Sequence, residues 1–289
     1  MSLRIAHVSD VHVLDLTGTK PWRFLNKRIT GLANLMGARK AAHPHSMLEQ
    51  IVRELEGDDV DHVIISGDLS NLALESELSR ARELVKPLGG FDRVSVVPGN
   101  HDVYTRGAQR SRRFERFFGD LMWRGGEAQA YPWFKDLGPV KLVGFSSANA
   151  TAPLFAHGHV ARAQLDRLAS LHREGALDGG FGVGVVHHNL HRRGRRKDWM
   201  HGLRNRDELV AACKSAGVGL ILHGHTHVSN RFEQDGIAIV GSGSSTWSSP
   251  EPRHTGRYNV YTVDEGGVRD TEVRVFDAGT GAFGGPARA

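Results

Sequence analysis

Cysteine is almost absent from this 289-residue chain, which contains only Cys213. A single cysteine cannot form an internal disulfide, and between alanines and a predicted strand it is better explained as a small core residue than as a nucleophile. The chain also lacks a hydrophobic run long enough to span a bilayer. Its first residues enter a predicted strand directly, without the hydrophobic region and cleavage site of a signal peptide, so we expect a cytoplasmic protein.

Acidic side chains are missing from residues 16–48, a stretch that contains six lysines and arginines. Two further segments, 106–116 and 192–197, are rich in arginine, and the whole chain has a net charge of +5. Such local excesses of positive charge favour an anionic partner. A small phosphorylated substrate and an anionic membrane are the candidates. Nucleic acid is disfavoured, because no basic stripe interleaved with aromatics and no known binding module is present.

The acid-free stretch contains an amphipathic pattern over residues 21–36. Its apolar positions are Trp22, Leu25, Ile29, Leu32 and Met36, and the opposite polar positions are Arg23, Lys27, Arg28 and Asn34. The spacing predicts a basic amphipathic helix within an insertion at about residues 16–45. Such a helix could lie on the inner face of an anionic membrane or pack on the domain as a cap over the site, and both alternatives stay open.

Hydrophobic residues form 39% and charged residues 24% of the chain, which fits one large α/β domain. We expect this domain to cover residues 1–276 and the Gly- and Ala-rich tail, 277–289, to be flexible. Helices are predicted over residues 46–57, with Ser46 as N-cap, and over 74–85, 105–118, 160–172 and 207–214. Strands are predicted over residues 3–8, 62–65, 94–97, 140–145, 181–186 and 218–222, followed by an antiparallel meander of 237–240, 258–263 and 273–276.

Five of the predicted strands end in side chains that can bind metal ions. In chain order these residues are Asp10 and His12, Asp68, Asn100, His187, and His225 and His227. α/β proteins place ligands at the carboxyl ends of their strands, and extended backbone would point each spaced pair to one side. Each motif alone is common in proteins. Seven candidate ligands in one chain exceed what a single ion needs from protein, so the sequence predicts a site with more than one metal ion.

The order of these motifs, D-x-H, G-D, G-N-H-D, H and G-H-x-H, resembles the calcineurin-like metallophosphoesterase family over residues 3–228. The resemblance implies an α/β four-layer sandwich, in which helices flank two facing β-sheets and a dinuclear metal site lies at the strand C-terminal ends. Matching by motif assigns one ion to Asp10, His12 and His227, the other to Asn100, His187 and His225, and the bridge between them to Asp68. The same matching leaves His101 facing the substrate as a catalytic residue and Asn71 outside the site. From its place next to His101 in the sequence, Asp102 is the candidate to orient that imidazole.

The resemblance further implies a metal-dependent phosphoric ester hydrolase that attacks a phosphodiester or phosphomonoester with a metal-activated hydroxide. Its cofactors would be two divalent or trivalent transition-metal ions, Mn and/or Fe, with Zn as the alternative. The motif versions look most like bacterial cyclic-nucleotide phosphodiesterases, so a 3′,5′-cyclic nucleotide is the first expected substrate. Two alternatives remain, a membrane-associated pyrophosphate hydrolase of a lipid- or sugar-nucleotide and a nuclease or nucleic-acid-binding protein. Metal ligands do not select the substrate, and the role of the basic loop 191–206 stays open.

Overall fold

Two facing β-sheets organise the fold, which a computed structural model describes for residues 1–24, 27–29, 43–249, 251–284 and 287–288. The strands are β1 (Leu3–Val8), β2 (His62–Ile65), β3 (Val94–Val96), β4 (Trp133–Asp136), β5 (Val140–Gly144), β6 (Phe181–Val185), β7 (Val218–His223), β8 (Ser229–Gln234), β9 (Ile237–Ser242), β10 (Arg257–Asp264), β11 (Gly267–Asp277), β12 (Ala282–Phe283) and β13 (Ala287–Arg288). The α-helices are α1 (His45–Gly57), α2 (Glu75–Val85), α3 (Arg106–Arg110), α4 (Arg113–Phe118), α5 (Arg162–Arg173), α6 (Arg195–His201) and α7 (Arg206–Ser215).

Both sheets are mixed, with the parallel strands on one side of the first sheet and in the middle of the second. The first has the order β12-β11-β10-β1-β2-β3, with β13 paired to β11, and the second has the order β4-β5-β6-β7-β9-β8. Strands β1, β2 and β3 run parallel in the first sheet, as do β5, β6, β7 and β9 in the second. This architecture confirms the predicted α/β fold of two facing sheets. Parallel neighbours gather their carboxyl ends at one edge, which is where the predicted ligands stand.

The layers are held together by two hydrophobic clusters. The larger fills the space between the sheets and also takes the apolar stripes of α1 and α2. The smaller packs α5 and α7 against the outer face of the second sheet and includes Cys213. Burial raises the pKa of this thiol to about 12, as a core position requires. A direct bond also joins the two sheets, because the indole N–H of Trp133 donates to the carbonyl of Val96 at 2.9 Å.

The predicted C-terminal meander is wrong, because its three strands belong to different sheets. Strand β9 pairs in parallel with β7, whereas β10 and β11 form an antiparallel pair beside β1. Residues 243–256 carry the chain from one sheet to the other. Strand β8 was missed by the sequence analysis, because this edge strand reads Ser-Asn-Arg-Phe-Glu-Gln and no position in it is fully buried.

Helix ends also differ from the prediction. Pro44 stands at the N-cap of α1 and no side chain caps this helix, so Ser46 lies inside it. The predicted helix over residues 105–118 breaks into α3 and α4, because Arg112 adopts a left-handed conformation with φ of 45°. Helix α6 forms inside the predicted basic loop. In the described part of the chain, no helix is both long and apolar enough to cross a membrane.

Most of the predicted amphipathic helix over residues 21–36 lies outside the described residues. Where it is described, its faces are opposite to the prediction. Arg28 is only 4% exposed and donates to two backbone carbonyls of the loop after β2, at 2.7 and 3.0 Å, and Lys27 is half-buried. The apolar Trp22 and Ile29 are 60% and 53% exposed. These contacts support the alternative in which the insertion caps the domain.

The first residues of the predicted flexible tail are engaged in the first sheet. Strand β12 pairs with the end of β11, and the ring of Phe283 lies 5.2 Å from that of Tyr258 and 5.3 Å from that of Phe276. The domain limits and the flexibility of residues 277–289 stay predictions.

Glu77 is a buried carboxyl group that fastens the loop after β2 to α2. Its Oε2 accepts the backbone N–H groups of Leu72 at 2.8 Å and Leu74 at 3.1 Å, which satisfies donors at the uncapped start of the helix. Burial raises the pKa of Glu77 to about 8. Between the ordinary carboxyl range and pH 8 the folded state therefore binds more protons here than the unfolded state, and stability falls as the pH rises through this window.

The Glu77→Gln variant is expected to remove this loss of stability. Glutamine keeps an acceptor oxygen but carries no charge, so at pH 8 we expect it to exceed the wild type in unfolding free energy by about 2 kcal/mol. Near pH 5, where the wild-type carboxyl is protonated in the folded state, the advantage should disappear. Urea denaturation of both proteins at pH 5 and pH 8 measures this difference in unfolding free energy. Glu83→Gln on the exposed side of α2 is the control, and an advantage independent of pH would contradict the assignment.

Candidate metal centre

The first cluster of candidate ligands contains Asp10, His12, Asp68 and His227, which follow β1, β2 and β7. One ligating atom from each lies within 4.8 Å of the others. The Nε2 atoms of His12 and His227 are 2.9 Å apart. Oδ1 of Asp10 is 3.2 Å from Nε2 of His227, and Oδ2 of Asp68 is 3.8 Å from Nε2 of His12. Two imidazoles and two carboxylates thus surround one point.

The second cluster contains Asn100, His187 and His225 and shares Asp68 with the first. Oδ1 of Asn100 lies 3.2 Å from Nε2 of His187 and 2.8 Å from Nδ1 of His225. Oδ2 of Asp68 is 3.3 Å from Nε2 of His187, so the same oxygen faces both clusters. The structure brings all seven predicted ligands together, in the two groups that the motif matching implied.

The backbone at these strand ends is not extended, contrary to the expectation that spaced pairs point to one side of a strand. Several ligands have left-handed φ angles, which are 53° at Asp10, 49° at His12, 55° at Asp68, 74° at His225 and 57° at His227. This conformation is uncommon for residues other than glycine and is typical of functional sites. The tight backbone turns, and not strand alternation, direct the side chains to the centre.

Two glycines of the motifs are required by close packing between loops. A β-carbon at Gly99 would overlap the carboxylate of Asp68, and one at Gly224 would overlap Ser9 and the carboxylate of Asp10. The glycines that precede Asn100 and His225 therefore allow loops from different strands to approach each other around the two carboxylates.

The orientation of the histidines shows that the residues fit metal ions. Nε2 of His225 donates to the carbonyl of His201 at 2.7 Å, and burial and the neighbouring His188 hold its pKa well below the usual range. This neutral ring therefore turns the lone pair of Nδ1 towards the amide oxygen of Asn100. A cation bound by both atoms would account for two acceptors that face each other at 2.8 Å. Metal-binding histidines are typically fixed in this way by a backbone carbonyl on the other nitrogen.

The charge of the site leads to the same conclusion. Asp10 and Asp68 are buried, and no lysine or arginine in the described part of the chain forms an ion pair with either. Burial alone would raise the pKa of Asp68, but the charges of His187 and His101 lower it well below its usual range. Burial would lower the pKa of His187, but the charge of Asp68 raises it to about 9. Buried carboxylates that no lysine or arginine neutralises are stabilised by bound cations, so these residues fit a metal site.

Residues 3–229 match the model of a family described as calcineurin-like phosphoesterase. The chain belongs to the calcineurin-like phosphoesterase family. It is therefore a metal-dependent phosphoric ester hydrolase, and the family depends on a dinuclear metal centre. None of the curated proteins gives a significant match to the chain.

Solved structures of other phosphoesterases have the same fold. A dimetal phosphatase from Danio rerio aligns with a TM-score of 0.62 and 14% identity over 94% of this chain and 95% of its own. A purple acid phosphatase from yellow lupin (Lupinus luteus) seeds aligns with a TM-score of 0.60 and 13% identity over 99% of this chain and 53% of its own. A putative 5′-nucleotidase from Staphylococcus aureus aligns with a TM-score of 0.52 and 14% identity over 94% of this chain and 54% of its own. This chain spans about half the length of the last two, and at these identities the likeness shows the fold alone.

The predicted catalytic residue of this phosphoesterase, His101, lies beside the first cluster, with its ring 4.9 Å from that of His12. Its Nδ1 lies 2.6 Å from the carbonyl of Asn71, its ring stacks on that of Tyr104 at 5.3 Å, and its backbone N–H donates to Oδ1 of Asp68 at 2.8 Å. Asn71, which the sequence analysis left outside the site, therefore orients this imidazole. Its side chain also donates to the carbonyl of His12 at 2.5 Å.

The predicted role of Asp102 as the residue that orients His101 needs correction. The two carboxyl oxygens of Asp102 accept the backbone N–H groups of Leu69, Ser70 and Gly99 at 2.8–3.2 Å, and the hydroxyl of Ser70 at 3.0 Å. Burial, together with the charge of Asp68, raises the pKa of Asp102 to about 7. With four donors already bound, this carboxyl group joins the loops after β2 and β3 beneath the centre.

A third histidine near the first cluster was also missed by the sequence analysis. The ring of His43 lies 4.7 Å from that of His12 and 5.7 Å from that of His227, and its Nδ1 is 2.9 Å from the hydroxyl of Thr246. The three imidazoles could hold one ion together. His43 follows no predicted strand, and only its place beside His45 in a His-Pro-His segment could have drawn attention to it.

A cavity of about 330 Å³ opens above both clusters. Its walls include the cations Lys27 and Arg193 and the aromatic residues Tyr104, Phe155 and Trp247. Nζ of Lys27 donates to the hydroxyl of Thr151 at 2.7 Å and to the carbonyl of Phe155 at 2.9 Å, which ties the insertion to this wall. Burial lowers the pKa of Lys27 to about 8. The entrance to the centre is thus cationic and aromatic, which suits a small phosphorylated substrate.

Proposed function

We propose that this phosphoesterase hydrolyses a phosphodiester at a dinuclear centre held by the seven residues of the two clusters. The observation that carries the proposal is the position of Asp68, whose Oδ2 lies 3.8 Å from His12 and 3.3 Å from His187 and so faces both clusters. The nitrogen and oxygen donors suit divalent or trivalent Mn and Fe ions, with Zn as the alternative. When bound, such a pair of ions lowers the pKa of water and stabilises the charge on the phosphoryl oxygens.

The protein supplies the remaining parts of the reaction. Lys27 and Arg193 attract the anionic substrate into the cavity, whose wall includes the rings of Phe155 and Trp247. His101 is held by Asn71 through Nδ1, so a protonated ring can offer its Nε2–H to the leaving oxygen or to the charge that develops there. The ring of Tyr104 fixes the plane of this imidazole.

Among phosphodiesters we propose a 3′,5′-cyclic nucleotide first. The support is the aromatic wall of Tyr104, Phe155 and Trp247, since a nucleobase can stack on such rings. A lipid- or sugar-nucleotide pyrophosphate is the second candidate, and the support for it is the exposed apolar side chain of Leu154 at the edge of the same cavity.

A hydrolysis panel tests the proposal on protein reconstituted with Mn, Fe or Zn. The substrates are 3′,5′-cyclic nucleotides, a nucleotide-diphosphate lipid, bis-p-nitrophenyl phosphate, p-nitrophenyl phosphate and single-stranded DNA. We expect metal-dependent turnover of bis-p-nitrophenyl phosphate and of a cyclic nucleotide at a higher kcat/KM than that of the monoester. His225→Ala, which removes one ligand, is the inactive control. Activity confined to the monoester or to DNA would replace the proposal with a phosphomonoesterase or a nuclease.

A further inference from the structure

The rim of the cavity has a surface that combines exposed apolar and basic side chains. We call it the mouth surface and define it by Leu154, Arg193, Arg195, Arg196, Lys197 and Trp199. Leu154 is 71% and Trp199 is 58% exposed, which is unusual for large apolar residues. Helix α6, which carries four of the six residues, has no buried residue at all. Burial in the core of the domain therefore does not explain why this helix carries a tryptophan.

The mouth surface is one continuous region around the entrance. Leu154 and Arg193 both line the cavity, and the ring of Phe155 lies 5.0 Å from that of Trp199, edge to face. Trp199 is four residues from Arg195 and three from Arg196 on α6, so these side chains share one side of the helix. Leu154 has a φ of 69°, a left-handed conformation that costs free energy in a residue other than glycine.

The basic residues of the mouth surface are not neutralised by the protein. Among the described residues, no acidic group forms an ion pair with Arg193, Arg195, Arg196 or Lys197. The acid of the same segment, Asp198, is paired with Arg206 at 3.0 Å. Neighbouring Arg192 is paired with Asp207 at 2.9 Å, so it is not counted among the cations of the mouth surface that have no acidic partner.

We propose that the mouth surface docks on an anionic lipid bilayer, and that the cavity takes a phosphate ester that is carried at the bilayer surface. The second part of this proposal rests on the proposed hydrolysis of a phosphodiester, and among the candidate substrates it favours the lipid-linked one over a soluble cyclic nucleotide. Cations around exposed tryptophan and leucine are the combination that binds the interface of an anionic membrane, where the charges meet lipid phosphates and the apolar groups enter the acyl boundary. Nucleic acid fits less well, since the aliphatic Leu154 offers no face on which a base can stack.

Co-sedimentation with vesicles tests the docking. The wild type should bind vesicles of phosphatidylcholine mixed with phosphatidylglycerol, bind phosphatidylcholine alone much more weakly, and be released by salt. Each basic residue near such a surface changes the partition coefficient by about fivefold, so the triple variant Arg195→Gln, Arg196→Gln, Lys197→Gln should lose about a hundredfold. Trp199→Ser should lose about tenfold, as expected for one large apolar side chain.

A matched triple variant, Lys86→Gln, Arg173→Gln, Lys214→Gln, lowers the net charge equally. These exposed cations lie at the C-terminal ends of α2, α5 and α7 or directly after them, and none of them lines the cavity. It should bind vesicles within about threefold of the wild type, since cations far from the bilayer contribute little. Equal losses in both triple variants, or equal wild-type binding to neutral and anionic vesicles, would overturn the proposal. So would a loss on Trp22→Ser in the insertion without one on Trp199→Ser, or tighter binding to duplex DNA than to anionic vesicles.

Hydrolysis separates this proposal from the proposed function. The α6 triple variant should hydrolyse soluble bis-p-nitrophenyl phosphate as the wild type does. On a long-chain alkyl p-nitrophenyl phosphodiester embedded in anionic vesicles, it should lose about a hundredfold in kcat/KM, in step with its loss of binding. Vesicle binding without hydrolysis of either ester would leave the docking intact and refute the proposed function. Equal hydrolysis of the embedded ester by wild type and variant would overturn presentation of the substrate at the bilayer.

Discussion

Asp68→Ala is expected to lose almost all hydrolysis and to bind fewer than two metal ions. The carboxylate faces both clusters through Oδ2, and its Oδ1 accepts the backbone N–H of His101, so one substitution removes a shared ligand and an anchor of the catalytic loop. Loss of an outer-shell partner alone typically costs 10–100-fold in metal affinity, and loss of a shared ligand should exceed about 100-fold. Elemental analysis and turnover of bis-p-nitrophenyl phosphate measure both effects.

Asp68→Asn is the matched control for this prediction. Asparagine keeps the shape of the side chain and an oxygen for the N–H of His101, but it removes the negative charge between the clusters. We expect it to fold like the wild type, with metal affinity between those of the wild type and the alanine variant. An alanine variant that holds two ions and remains active would show that Asp68 does not bridge them.

The ligand set could be predicted because each motif follows a strand that is easy to recognise. β2 and β7 are apolar runs, and each is followed directly by a candidate ligand segment. The two strands lie in different sheets, so the order of the motifs, and not adjacency within one sheet, indicates that Asp68 and His225 come together. The sequence does not indicate the left-handed backbone at either residue, because that conformation is imposed by contacts between loops, which no local pattern records.

The parts that sequence analysis missed depend on contacts between distant segments. Asn71 acts on His101 through its backbone carbonyl, which every residue has and no residue type reveals. His43 reaches the first cluster from a segment without strand character. The pattern around Arg28 is amphipathic, but its guanidinium binds two backbone carbonyls in the loop after β2, so the basic positions turned inward and not outward.

His101→Ala is expected to keep both metal ions and to lose about 10²–10⁴ in kcat on a 3′,5′-cyclic nucleotide, the usual effect of removing a positioned acid. The metal ions should remain because His101 is not one of the grouped ligands and touches His12 only edge to face, and because the N–H that binds Asp68 belongs to the backbone and survives the substitution. Loss of metal would show that His101 is a ligand. Asn71→Ala is the control, since it keeps the carbonyl that holds the ring and should lose much less activity.

The leaving group decides which role His101 has. A ribose alkoxide needs a proton as it departs, whereas p-nitrophenolate is stable as an anion and needs none. If His101 donates a proton, the alanine variant should lose less than about tenfold on bis-p-nitrophenyl phosphate while it loses 10²–10⁴ on the cyclic nucleotide. If the ring instead stabilises charge on the phosphoryl group, both substrates should lose activity by a similar factor, because that charge develops with either leaving group. The hydrogen bond between Nδ1 and the carbonyl of Asn71 holds the imidazole in one orientation, as a positioned acid requires, so we expect the unequal losses.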